Sequence, residues 1–242
     1  MRKSLLLLIV PAVFVGSLNS CKKKGCMDPD ATNYNEEAKK DDESCTYVPI
    51  ISLNGSAQMT LELGDTYEEQ GATATNKDGS TVNVVIEDSS DEVNTAETGT
   101  YTVTYSATND YGKSTVTRTV TVVVGSGSWL GEWTVTDDCS NTRFPLHENP
   151  EISLSGANGS ELLIESKFDY LSLIFGTATA TVDNEVITVP QQTYSNNGVT
   201  ILFSGTGTMN ATGTSFTIDY EYNNTTPLIG GSGTCTATYE KQ

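Results

Sequence analysis

The sequence predicts an all-β protein in which a β-sandwich is followed by an antiparallel up-and-down β-barrel or a second sandwich. Three observations carry this. Apolar and polar residues alternate with period two in a series of short segments from residue 58 to the C-terminus. Turn signals separate those segments: Asn54-Gly55, Gly64-Asp65, Asp78-Gly79, Tyr111-Gly112, Asp183-Asn184 and Asn196-Asn197-Gly198. Only 18% of the 242 residues are charged, and the Leu-, Glu-, Lys- and Ala-rich runs of helices are missing beyond the N-terminus.

The chain opens on residues that read as a secretory signal, assigned to 1–20. Arg2 and Lys3 give a positive start, Leu5 to Val15 an apolar core interrupted by Pro11, and Gly16, Ser17 and Ser20 the small residues before Cys21. The apolar run falls short of the roughly 20 residues that span a bilayer. Leu18-Asn19-Ser20-Cys21 resembles the bacterial lipoprotein signal, in which the cysteine sulfur is lipidated and the chain is cut before it. The resemblance implies acyl (palmitate-type) chains on Cys21, each buried CH₂ contributing about 0.8 kcal/mol to anchoring. Lys22, Lys23 and Lys24 then lie against anionic headgroups or form a solvated tether. The expected address is the cell envelope, on the outer membrane.

Charge and cysteines bound the function further. The net charge of −18 deepens to −20 without Arg2 and Lys3, and so acidic a chain repels phosphate backbones, which excludes nucleic-acid binding. Giving Cys21 to lipid leaves Cys26, Cys45, Cys139 and Cys235. In an exported chain these are expected as disulfides, and Cys26–Cys45 with Cys139–Cys235 is preferred because each pair stays within one composition block. A metal site is the rival, but no close Cys-x-x-Cys pair exists and His147 is the single histidine.

Residues 21–48 form an acidic stretch with almost no apolar content, so a Cys26–Cys45 bridge has to hold it. Residues 25–47 resemble a short cysteine-bounded repeat of secreted Bacteroidetes proteins at Gly25, Cys26, Asp28, Ala31, Asn33, Tyr34, Asn35, Ala38, Asp41, Asp42, Ser44, Cys45 and Tyr47, with Glu43 in place of the usual glycine. Asp28, Asp30, Asp41 and Asp42, joined by Asn33, Asn35 and Glu43, are candidate calcium ligands. Their spacing does not fit the DxDxDG loop, and a solvated acidic stalk is the alternative.

Residues 49–124 carry the clearest alternation, at Met59-Leu61-Leu63, Val82-Val84-Ile86, Tyr101-Val103-Tyr105-Ala107 and Val120-Val122-Val124. Period two with one polar face predicts antiparallel strands over a core, and their spacing predicts a sandwich. Arg118 falls on the inward phase, which predicts either a bulge before Val120 or a strand that begins outside the core. Glu68, Glu69 and Asp110 read as solvated turn residues. The runs PIISLNG, LELGDTYEEQGATAT and TGTYTVTYSATNDYGKSTVTRTVTV resemble an Ig-like domain of bacterial surface proteins, also found in a pesticidal crystal protein. The resemblance implies a spacer or adhesion module.

Gly125-Ser126-Gly127-Ser128 reads as a linker, spanning roughly 11 Å as a flexible coil, so that residues 129–242 are free to reorient. That last block holds candidate strands at 132–136, 151–155, 161–166, 171–182, 185–189, 199–209, 215–222 and 234–240, the pattern of an up-and-down meander. A Cys139–Cys235 bridge would latch first strand to last, as a closed barrel requires. Gly131-Glu132-Trp133 resembles the G-x-W of lipocalins, which implies a lipocalin-like barrel carrying a small apolar ligand. The alternative is a core filled by Trp133, Phe168, Phe175, Phe203 and Phe216, favoured because about eight strands leave room for little beyond side chains. Ser204-Gly205-Thr206-Gly207 marks a bend.

No catalytic residues are assigned. His147 allows no histidine dyad, no G-x-S-x-G stands near it, and nothing selects one carboxylate pair from so many. The expectation is a non-enzyme without cofactors, whose terminal domain binds or has a structural role. Its partners would be the membrane through Cys21 and a protein, a small apolar ligand or a glycan. For a glycan the candidate platforms are an exposed Trp129 with Tyr194, Tyr220 and Tyr222.

Overall fold

In the computed structural model of the chain, residues 22–87, 93–140, 151–154, 161–168, 174–196, 198–228 and 230–242 are described, with the backbone alone over 151–177 and at 196. The described residues are all-β, and the only helical element among them is a 3-10 turn at Ser126–Trp129. Cys21 and His147 lie outside the described residues, as do the side chains of Phe168 and Phe175.

Strands β1 (Ile50–Leu53), β3 (Ala72–Thr75) and β4 (Thr81–Val82) form one sheet in the order β1-β3-β4. Strands β2 (Gln58–Glu62), β5 (Val84–Ile86), β6 (Gly99–Asn109) and β7 (Gly112–Val123) form the other, in the order β2-β7-β6-β5. The stretch expected as one strand over Val82–Ile86 divides at Asn83: Val82 pairs with Ala74 in the first sheet, Val84 with Ala107 in the second. The strand β2 runs parallel to β7, from Gln58↔Thr119 to Glu62↔Val123, where antiparallel pairing was expected. Alternation reports which face is buried and is silent on the direction of the partner. Ala74, Val103, Tyr105, Ala107, Val120 and Val122 are buried as the sandwich core.

Arg118 corrects both readings of its position. The β6–β7 register runs unbroken through Val103↔Arg118 and Tyr101↔Val120, and Arg118 is 0% exposed. Its guanidinium donates to Ser56 O at 3.1 Å, Asn54 O at 2.6 Å and Glu69 Oε1 at 2.7 Å, so its charge is paired and its donors are used. Glu69 keeps the solvent-facing side expected of it, but it is also the ion-pair partner of the buried Arg118 guanidinium. It also accepts from the Tyr105 hydroxyl, from the Tyr67 hydroxyl at 2.5 Å and from Gly71 N–H at 2.6 Å. Glu68 and Asp110 are exposed as expected.

The cysteine-bounded segment is closed by Cys26–Cys45. With little apolar content, it substitutes turn bonds for a core. Asn33 donates to Ser44 O and accepts from Thr46 N–H, and Asn35 N–H donates to Cys26 O, over the buried Cys26, Ala31 and Ala38. Glu43 takes the left-handed backbone, φ 65°, that a glycine would take at no cost. The segment is not a free stalk at its far end. Asn109 Nδ2 donates to Tyr47 O at 2.9 Å, Lys77 lies 4.7 Å over the Tyr47 ring, and Ser114 Oγ donates to Pro49 O at 2.7 Å.

Strands β8 (Gly131–Cys139), β9 (Glu151–Leu154), β10 (Glu161–Phe168), β11 (Ile174–Asp183), β12 (Val186–Asn196), β13 (Val199–Met209), β14 (Ser215–Asn224) and β15 (Gly231–Lys241) pair in ring order, each antiparallel to the next, with β15 returning to β8. Two seams are thin. The β8–β9 ladder is Gly131↔Ile152 and Glu132↔Glu151, and the β11–β12 ladder stops at Thr181↔Thr188. Beyond that point a register shift between Val189 and Gln192 accommodates Pro190, which has no N–H to give. The Gln192 amide then stands in for the missing ladder, donating to Thr179 O at 2.7 Å and accepting from Thr179 N–H at 2.9 Å. Cys139 and Cys235 face one another across β8 and β15 and are bonded.

The Gly/Ser stretch is not the flexible coil its composition predicts. It forms the 3-10 turn, and Val124 on one side of it and Trp129 on the other are both buried in the barrel core. Thr98 N–H donates to Ala211 O at 2.8 Å, and Leu63 packs where a side chain on Gly213 would stand. These contacts tie the sandwich to the β13–β14 turn.

Two outcomes are expected. Burial raises the Glu69 carboxyl, but the bonds from Tyr105, Tyr67 and Gly71 and the Arg118 charge outweigh it and hold Glu69 below the usual range. A lowered folded value means this stability is complete above about pH 5 and lost as pH falls through about 4.3 and below. Acid titration of unfolding should show that limb, Glu69→Gln should flatten it, and Arg118→Ala should cost about 3 kcal/mol in urea. Replacing both Cys139 and Cys235 by alanine should lower stability by up to about 4.7 kcal/mol, read as a lower melting temperature of the barrel in the absence of reductant, with the Cys26–Cys45 bridge left intact.

Candidate functional site

Opposed residues of neighbouring strands share a face, so the register assigns the barrel's interior layer by layer. Nearest the sandwich, Met209, Phe216, Tyr239 and Val135 form one layer, above Trp129 and Trp133. Phe216 stacks on Tyr239 with centroids 4.3 Å apart and meets both indoles edge-on, at 5.1 and 4.8 Å. The indole of Trp133 donates to Trp129 O at 3.2 Å and that of Trp129 to Asn184 O at 3.3 Å. This end of the barrel is filled. Trp129, expected as an exposed platform, is 0% exposed and part of the floor.

The next layers are Ile187, Gly207, Ile218, Ala237 and Asp137, then Val189, Gly205, Tyr220, Cys235 and Cys139. Tyr222 and then Asn224 follow on β14, with Tyr194 opposite Ile201. The tyrosines proposed as an outer glycan platform thus lie on the inward phase: Tyr222 is buried, Tyr194 and Tyr220 half-buried. Asp137 was missed by the sequence reading, although the alternation Trp133-Val135-Asp137-Cys139 points it inward. Burial, and then the Asp137 charge, push the Tyr220 phenol well above its ordinary value.

Gly205 and Gly207 decide the shape of the wall. A Cβ on Gly205 would stand 2.8 Å from Asp219 O, and one on Gly207 would collide with Thr217 O. The interior at both positions is packed too closely by β14 and Ile187 to admit a side chain, which makes this the barrel's waist. A groove of about 830 Å³ lies outside this waist and crosses β12, β13, β14, β15 and β8. Its outward residues form two cross-strand rows, Thr188–Thr206–Asp219–Thr236–Asp138 and Ser204–Glu221–Thr234–Ser140. Asp219 Oδ1 accepts from Thr236 Oγ1 at 2.6 Å, and Glu221 Oε1 from Ser204 Oγ at 3.3 Å. No lysine, arginine or histidine is among the described lining residues, and none of the described ion pairs uses these carboxylates.

Three of the calcium candidates, Asp28, Asp41 and Asp42, accept hydrogen bonds that form turns within their own segment. Asp28 accepts from Tyr47 OH at 2.6 Å and from Asp30 N–H at 3.0 Å. The Asp28 bond lifts the Tyr47 phenol to about 12, and the same bond lowers Asp28. Asp41 accepts from Glu43 N–H, and Asp42 from Ser44 N–H and Oγ. Among the described residues no three His, Cys, Asp or Glu converge as a metal set.

Gly207→Val should therefore destabilise the barrel by several kcal/mol through overpacking, whereas outward Thr206→Val should stay within about 0.5 kcal/mol. Thermal unfolding of the two variants checks this; equal melting temperatures would mean the waist has room inside.

No curated protein matches the sequence. Among solved structures, the lipoprotein BT2262 from Bacteroides thetaiotaomicron aligns over 80% of this chain and 100% of its own, at 16% identity and a TM-score of 0.31. A Clostridium perfringens ZmpB structure, of CBM51-2 in complex with GlcNAc and INT domains, aligns over 79% of this chain and 44% of its own, at 14% and 0.26. A Bacteroides ovatus protein of unknown function aligns over 81% and 79%, at 13% and 0.26. At these TM-scores none of the three bears on function. Residues 51–122, which run through both sheets of the sandwich, match the family described as Bacterial surface protein, Ig-like domain, and that part of the chain is an Ig-like domain of this kind.

Proposed function

We propose that this is a non-catalytic, lipid-anchored protein of the bacterial cell envelope. Cys21 carries the lipid after removal of residues 1–20, the cysteine-bounded segment and the Ig-like domain act as a spacer, and the barrel of residues 129–242 is the presented binding end. The observation that carries this reading is the continuity of β7 into the barrel floor through Val124 and Trp129, which presents the barrel as a fixed body on a surface-protein domain.

Two further features support it. Arg2, Lys3, the apolar run from Leu5 to Val15 and the small residues before Cys21 have the order of a lipoprotein signal, which would supply the attachment. The barrel's outer carboxylates sit in ladders with serine and threonine, an arrangement for recognition by hydrogen bonding. The filled floor of Trp129, Trp133, Phe216 and Tyr239 weighs against a carrier of apolar ligands at that end.

Cys21→Ala should move the protein from the membrane fraction to the soluble one in a bacterium that processes lipoproteins. Continued membrane retention of the variant, with the signal cleaved, overturns the anchor.

A further inference from the structure

We infer that the groove across the barrel waist binds a neutral oligosaccharide, held by its hydroxyl groups. The inference deepens the reading of the barrel as a binding end and rests on it, but it does not depend on the lipid at Cys21.

The lining itself selects the ligand class. Every outward residue of the two rows is a hydroxyl or a carboxylate, and Pro190 with the Gln191 amide completes the lining at the β12 edge. The carboxylates of Asp138, Asp219 and Glu221 supply up to about four acceptor sites each, and a single side-chain donor is seen on each of Asp219 and Glu221. Acceptors are therefore in surplus, and a ligand must bring donors. Anions are refused, because the described lining holds no cationic side chain and three carboxylates. Apolar molecules are refused, because they would strip water from carboxylates that then lack partners. A polyol satisfies the site: each of its hydroxyls donates to a carboxylate and accepts from a serine or threonine.

Shape narrows the class further. The groove is shallow and open along its length, so a ligand would lie along it rather than be enclosed by it. The groove runs across five strands, and strands repeat every 4.7–4.9 Å or so. Polar contacts thus recur at a short regular interval along its length, which suits a chain of repeating polar units better than one compact molecule. The groove is built into ladder strands, with the waist fixed by Gly205 and Gly207 and the wall by the Pro190 bulge and the Gln192–Thr179 bonds. Little ordering is then left to binding. No aromatic ring on the outward phase lines the groove, so hydrogen bonds and threonine methyl groups must supply the affinity.

Isothermal titration of the full chain from Cys21, in detergent, with gluco-, manno-, xylo- and chito-oligosaccharides tests this. At least one series should bind, with affinity rising with length and unchanged between 0.05 and 0.5 M salt. Asp219→Asn and Glu221→Gln should each weaken it about tenfold or more, the loss of a bond to a charged acceptor. Asp110→Asn, an exposed change on the sandwich, should not. Absence of binding by every series at millimolar sugar overturns the proposal, as does a salt-sensitive affinity for spermidine that exceeds that for any sugar, which would make the groove a cation site. Membrane fractionation of Cys21→Ala reads the anchoring separately, so either idea can fail alone.

Discussion

The aromatic floor of the barrel is the constraint on which the rest of the structure depends. Trp129, Trp133, Phe216 and Tyr239 come from the 3-10 turn, the first strand and the last two strands, so they meet only when the ring has closed. Burying rings of this size contributes more than any other group in the domain. Both indoles lose water on burial and regain a carbonyl partner, one within the turn and one on the β11–β12 hairpin. The floor thus fixes the approach of the chain as well as the closure of the sheet.

One consequence is the relation between the sandwich and the barrel. Val124 continues β7 directly into the floor, and the Thr98–Ala211 bond and the Leu63 contact add to it. A second consequence is a division along the barrel's length. The end next to the sandwich is packed with rings, while the far half takes Asp137, Tyr220, Tyr222 and Asn224 inward and places its ladders of hydroxyls and carboxylates outward. The sandwich solves its own burial problem differently. Its core holds a guanidinium, acceptable because Glu69 and the backbone carbonyls of Ser56 and Asn54 supply partners in full view of Tyr105.

Chemistry at the groove follows from the same geometry. The interior is closely packed at Gly205 and Gly207, and the outward phase of five adjacent strands gives the groove outside this waist a polar surface with regular spacing. Aligned rows of threonine with aspartate, and serine with glutamate, hold the acceptor groups at fixed positions. The acidic cysteine-bounded segment shows the contrasting use of carboxylates, as acceptors for its own backbone N–H groups in turns.

What the sequence determined by itself is local. Alternation gave the all-β class, most strand positions and the inward phase of the sandwich strands, because side-chain direction repeats every two residues whatever the strand pairs with. Cysteine placement within composition blocks gave Cys26–Cys45 and Cys139–Cys235. Only tertiary structure decided what depends on partners distant in the chain. The parallel pairing of β2 with β7, the split at Asn83 and the short Thr-rich strand β3 have no local signature. Arg118 reads as a misfit until Glu69, 49 residues away, is brought beside it. Trp129 reads as an exposed platform, and Gly125 to Ser128 as a coil, until the closed ring behind them supplies a core to enter. The groove was invisible for the same reason: its two rows are assembled one residue per strand, and no stretch of sequence contains them.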